Sequence, residues 1–198
     1  MDEEDEEDEE DEEDEEDENL CSKLRDVGVE VKSVFDLVNA LLSFSYKAAI
    51  PVLISTLEAG IEDKRTKDGV VRALCTKDAR GTEAASALIN EYWRMLPGED
   101  SLRWAIGNTF TVIANASHFE EIAKILKDKR NGKSREMFAW ALKRIKTREA
   151  EDLLIDLLDD DEVVAHALGA IGGANFQRAR SGLIRPRGGI AQSLRAPQ

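Results

Sequence analysis

The chain of 198 residues is short of the groups on which most recognisable chemistry depends, with two histidines, two cysteines and only 6% aromatic residues. His118 and His166 have no second ligand at metal-binding spacing, so a zinc or iron site is not expected. Cys21 and Cys75 form no C-x-x-C pair, which argues against both a disulfide framework and a zinc knuckle and favours a reducing compartment. No apolar run approaches the roughly 20 residues that cross a bilayer. A secretory leader needs a basic start followed by an apolar stretch, whereas this chain starts with carboxylates. A cytoplasmic location away from membranes is therefore expected. The G-x-S-x-G elbow, the H-E-x-x-H pair and the G-x-G-x-x-G loop are all missing, so no catalytic residue and no cofactor is expected, and the chain does not read as an enzyme.

What is abundant is charge, and it is unevenly placed. The net charge of -14 arises from residues 2 to 18, which are all Asp or Glu and hold 17 of the 41 acids. The remainder has 24 acids against 27 bases, or +3. From Gly172 onward there are five arginines (Arg178, Arg180, Arg185, Arg187, Arg195) and no acid. The near-neutral body gives no electrostatic reason to expect nucleic acid as a partner. Residues 1 to 19 repeat Asp-Glu-Glu with a period of three, which matches neither helix nor strand, and mutual repulsion predicts a disordered, solvated acidic tail.

From Leu20 onward the apolar residues follow helical spacing, and four helix pairs can be read. They fall near 48–59 and 63–76, 82–96 and 100–115, 118–129 and 134–146, and 149–158 and 161–171, after a helical lead-in within 20–46. Pro51 sits in a first turn, where its missing amide hydrogen costs nothing. Each pair has an apolar stripe too broad for its own partner helix to cover, which is the reason such units stack. The second helices align on a small-then-large pair: Ala73-Leu74, Ala105-Ile106, Ala141-Leu142 and Ala167-Leu168. Phe110, Ile113, Phe138, Ile145, Val164 and Ile171 continue these stripes at three- and four-residue steps, and all are expected in the core. Their irregular spacing fits a degenerate helical solenoid. The architecture predicted is thus all-α: an α-solenoid of about four pairs over 20–172, an acidic tail over 1–19, and an Arg/Gly-containing end over 173–198 that starts a truncated repeat.

The stretches Ala49-Ile-Pro-Val-Leu53, Val71-Arg-Ala-Leu74, Trp104-Ala-Ile-Gly-Asn108 and Leu153-Leu-Ile-Asp-Leu-Leu-Asp-Asp-Asp-Glu-Val163 resemble bacterial HEAT-repeat proteins related to phycobilin-lyase repeats. Trp104-Ala-Ile-Gly-Asn108 and Lys127-Asp-Lys-Arg130 are most similar to small bacterial HEAT-repeat proteins without an established activity. The resemblance covers about residues 20 to 172 and implies a fold and a binding surface rather than a reaction. It also implies two enzymatic alternatives, a chromophore-lyase subunit and an alkylbase DNA glycosylase. Relatives of this group often carry Arg just after the Asp-x-x-Val element, where this chain has Val164.

Two sequence features imitate sites. Asn131-Gly-Lys-Ser134 resembles the end of a phosphate loop but lacks its first glycine, the position being Lys127. The acids Asp159-Asp-Asp-Glu162 lack the alternation of a calcium loop and read as caps of the next helix. The candidate working face comes from counting back two places from each large core residue. This places Arg72, Trp104, Trp140 and His166 in one column, about 200° from the core direction. Four residues further back stand Asp68, Asp100, Glu136 and Glu162. Second helices of stacked HEAT pairs usually line the concave side, so these eight residues are expected to form a groove with an aromatic centre and an acidic rim. A protein or peptide segment with basic and apolar residues is the partner they fit. A purely structural account competes: acids favour helix N-termini through the dipole, and tryptophans fill gaps between repeats. The C-terminal end, with Leu183 and Ile184, is expected to self-associate or to dock a partner because no polar helix caps it.

Overall fold

Start and stop signals between the apolar stripes divide the chain into helices. The computed structural model describes residues 3–39, 45–96, 99–160, 163, 165–167 and 170. Among these there is no strand, and the α-helices are α1 (Glu3–Asp26), α2 (Val34–Asn39), α3 (Ala49–Ala59), α4 (Lys64–Ala73), α5 (Ala84–Arg94), α6 (Asp100–Ile113), α7 (Phe119–Lys127), α8 (Glu136–Ala141) and α9 (Arg148–Asp156). Asp63 begins α4 by accepting hydrogen bonds from the amides of Arg65 and Thr66, and Thr147 begins α9 by accepting one from the Ala150 amide. Asn115 and His118 cap each other in the turn before α7, where the Asn115 amide donates to His118 Nδ1 at 3.2 Å. The turn Lys129–Arg135 before α8 and the turn Leu142–Arg144 after it are 3-10, so the second helix read over 134–146 is shorter as an α-helix than its apolar spacing implied.

The helices pack in two layers. Helices α2, α4, α6 and α8 each lie against the next, α3 lies against α5, and α3 with α4, α5 with α6 and α7 with α8 form the pairs. Contact between next-but-one helices is the solenoid arrangement, and it follows from stripes wider than one partner. Ala73, Leu74, Ala105, Ile106, Ala141, Leu142 and Ala167 are buried, as are Phe110, Ile113, Phe138 and Ile145. Leu168, Val164 and Ile171 lie outside the described residues, as does the chain from 171 onward with Leu183 and Ile184. Gly107 allows the tightest approach of α6 to α8. A Cβ there would meet the Met137 Cβ and the Phe138 ring at 3.0 Å.

Polar groups fasten one pair to the next. The Arg135 guanidinium is fully buried and donates to the carbonyls of Leu126 and Gly132 and, through Nη1 at 2.9 Å and Nη2 at 3.3 Å, to the Asp160 carboxylate. Lys129 stands 3.6 Å from the same carboxylate. Asp160 thus has a role beyond the capping read from its acid run, and the lock between pairs uses Arg135 where the resemblance had pointed to position 164. Lys67 reaches the buried Glu91 at 3.1 Å, the Tyr46 hydroxyl donates to the Ala73 carbonyl, and the Thr109 hydroxyl donates to the Val71 carbonyl.

The body begins earlier than the boundary drawn at Leu20. Glu16 accepts hydrogen bonds from the amides of Glu62 (3.3 Å) and Asp63 (2.8 Å), and Asp17 accepts one from the Val34 amide (2.9 Å). These amides open α4 and α2, where unpaired N–H groups and the helix dipole both favour an anion. The last acids of the run are therefore docking groups.

Two outcomes follow. A chain beginning at Glu15 should melt as the full chain does, whereas one beginning at Asn19 should lose about 1–3 kcal/mol, the size of one or two charge-assisted hydrogen bonds; equal melting of the two would contradict the docking. In urea unfolding, Arg135→Met should cost about 3–5 kcal/mol by leaving Asp160 buried without its main cation, and adding Asp160→Leu should recover most of the loss.

Candidate functional site

Six of the eight residues of the predicted groove fall on one layer, because α4, α6 and α8 are consecutive within it. Along α4, Arg72 is half-buried and its Nε donates to Asp68 one turn earlier, so the two form an intrahelical ion pair. On α6, Asp100 is exposed in the first turn and Trp104 is half-buried. On α8, Glu136 is half-buried and Trp140 is 36% exposed between the buried Ala139 and Ala141. His166 belongs to the following pair, and its Nε2 lies 3.9 Å from Glu136 Oε2. The acidic and aromatic columns therefore meet across neighbouring pairs at Glu136 and His166. Trp104 and Trp140 occupy adjacent helices without stacking on each other. Glu162 lies outside the described residues.

Counting along the second helices missed three features of this surface. Lys143 places its ammonium 5.0 Å from the centre of the Trp140 ring, a cation–π contact that its i+3 position makes legible in hindsight. Trp93 on α5 is 47% exposed and Leu96 beyond it is 72% exposed, so apolar exposure also occurs on the other layer. Trp93 packs edge-on against Tyr92 at 5.2 Å. Arg80 and Arg144, from different loops, both reach the carbonyl end of α6.

The chemical alternatives can be tested on the geometry. In Asn131-Gly-Lys-Ser134, the buried Asn131 amide donates to the Ile125 carbonyl at 3.0 Å, and the Ser134 hydroxyl bonds the Asn131 carbonyl and lies 3.0 Å from the Tyr92 hydroxyl. The segment thus packs a turn and does not cradle a phosphate. Burial pushes the Cys21 thiol up to about 11, helped by the nearby Asp17, and burial also raises Cys75, so neither is an activated thiolate at neutral pH. Among the described residues no cluster of three His, Cys, Asp or Glu could hold a metal, and no helix is long and apolar enough to cross a membrane.

Residues 134–160 match the family model described as the PBS lyase HEAT-like repeat. The matched segment starts one residue before Arg135 and ends at Asp160, so both partners of the buried lock belong to it. Comparison with curated proteins and with solved structures finds no match.

His118 provides a pH test of the described geometry. Burial lowers its pKa below the usual 6.5, and its Nδ1 must stay unprotonated to accept the Asn115 amide. A depressed histidine contributes stability that is complete above about pH 6.5 and is lost as pH falls through the folded-state value. His118→Gln keeps a cap acceptor without that titration. The stability of the native chain minus that of His118→Gln should therefore fall between about pH 7 and pH 5 in chemical unfolding, and a flat difference would refute the assignment.

Proposed function

We propose that this chain, which carries a HEAT-like repeat at residues 134–160 and packs the second helices α4, α6 and α8 in one layer, is a non-enzymatic scaffold that seats a partner protein or peptide along that layer. The observation that carries the reading is Trp140, held 36% exposed beside two fully buried alanines. Large exposed aromatics at a repeat surface are the usual anchors of partner binding. Its ring holds the Lys143 ammonium at 5.0 Å, a contact that a lysine or arginine of a partner would replace, and Glu136 one turn away supplies a carboxylate. Asp100 adds negative charge on the adjacent helix, and Trp104 extends the apolar strip. Basic and apolar residues in the partner match this set. The layer is taken as the concave side, and the protein is placed in the cytoplasm.

Nucleic acid fits the strip poorly because Asp68, Asp100 and Glu136 stand where a phosphate backbone needs cations. That weakens the glycosylase alternative. A chromophore-lyase subunit is favoured only by the description of the matched repeat. It would use the same layer to dock its partner.

Pull-down from the native cytoplasm followed by affinity measurement on the captured partner tests the proposal. Trp140→Ala should weaken binding by about tenfold or more, a loss of roughly 1.4 kcal/mol or greater, with little change in melting. Trp104→Ala, being half-buried, should weaken binding and also lower stability by about 1–3 kcal/mol. If either variant loses about 3–5 kcal/mol of stability while its folded fraction binds normally, the tryptophans are core residues and the groove reading fails.

A further inference from the structure

The end of α6 carries a cationic surface that the groove does not use. Arg80, from the loop between α4 and α5, donates its Nε to the Val112 carbonyl at 2.8 Å. Arg144, from the turn after α8, donates its Nε to the Ala114 carbonyl at 3.4 Å. The two accepting carbonyls are two residues apart, so the guanidiniums are brought side by side from different repeats. A helix C-terminus attracts cations, which accounts for one face of each group. Both are exposed, and each spends only its Nε on α6. Lys146, two residues past Arg144, is also exposed. Among the described residues none of these three is in an ion pair. Burial and then the charge of Arg80 lower the Arg144 pKa, as expected for like charges held together without an anion between them.

The same chain carries the complement. Residues 2 to 18 are carboxylates without interruption, so the segment is anionic along its whole length and needs no particular register to meet a pair of guanidiniums. The segment does not reach this patch on its own body. Glu16 and Asp17 hold α1 at the starts of α4 and α2, the edge that carries the turns within pairs. Arg80 and Arg144 lie in connections between pairs, at the opposite edge. The Glu16 and Asp17 anchors fix the root of the acidic segment at the first edge, away from the Arg80 and Arg144 guanidiniums. We propose that the Arg80–Arg144 surface is the docking site for the acidic segment of a second copy of this chain, giving head-to-tail association. Outside the run the chain is +3, which attracts the acidic segment of another copy.

Charge complementation in the full-length chain tests this. Sedimentation equilibrium at about 20 mM salt should show association of the native chain that weakens by about tenfold or more as salt rises to about 500 mM, where the screening length is only a few ångströms. One variant carries Arg80→Glu with Arg144→Glu. The other replaces the acids at 2–14 by the corresponding amides. Each alone should be monomeric, and a mixture of the two should form a one-to-one complex, because each retains one half of a heterologous contact. Arg80→Gln with Arg144→Gln gives the same reading should charge reversal impair folding. The proposal is overturned if the native chain is monomeric at low salt, if the arginine variants associate as well as the native chain, or if the mixture stays monomeric.

Discussion

A helix pair that cannot cover its own apolar stripe must be covered by another pair, and every other feature of this protein depends on that constraint. Gly107 shows how closely it is met, because α6 approaches α8 until even a methyl group would crowd Met137 and Phe138. Once the second helices are pressed edge to edge, the residues between the buried positions have nowhere to point but outward. The partial exposure of Trp140 between Ala139 and Ala141 is thus a consequence of the packing that buries its neighbours. A surface column along the layer follows from the repeat, and which residues occupy it is left to function.

Apolar stacking is non-directional and does not fix how far one pair slides along the next. The buried polar groups do. Arg135 engages the carbonyls of Leu126 and Gly132 and the carboxylate of Asp160, so a shift of a fraction of a helical turn would strand a buried charge. Lys67 with Glu91 acts similarly between the first two full pairs. Such locks add little to net stability against an apolar alternative, but they penalise wrong registers. Glu16 and Asp17 extend the logic to the N-terminal end by satisfying the opening amides of α4 and α2.

Much of the fold was legible because it is periodic. The helices of the first three pairs were read to within a few residues, and the described members of the aligned pairs, from Ala73 to Ala167, are buried as expected. Exposure of Trp140 was legible for the same reason, being geometry around a helix. What the sequence could not reveal depends on distances across the fold. The Arg135–Asp160 pair spans 25 residues and reads locally as one base in a basic turn and one acid in an acidic run. The reading of the tail treated all acids alike, and only the position of α1 beside two helix starts separates Glu16 and Asp17 from the rest. The pairing of Arg72 with Asp68, by contrast, could have been foreseen from their four-residue spacing.

The distribution of charge then acquires a physical reading. A carboxylate gains most where fixed donors already point at it, and the chain offers two kinds of such place: helix starts, used by Glu16 and Asp17, and arginines gathered at a helix end, as Arg80 and Arg144 are around α6. The first kind is satisfied within the chain, whereas among the described residues the second has no carboxylate. The aromatic strip differs from both, since Trp140 presents a ring face and has acidic neighbours, which select a cation in place of an anion. Two surfaces of opposite preference on one rigid stack can be occupied at once without competing for the same ligand. The proposed self-association and the proposed partner contact therefore use different surfaces and do not exclude one another.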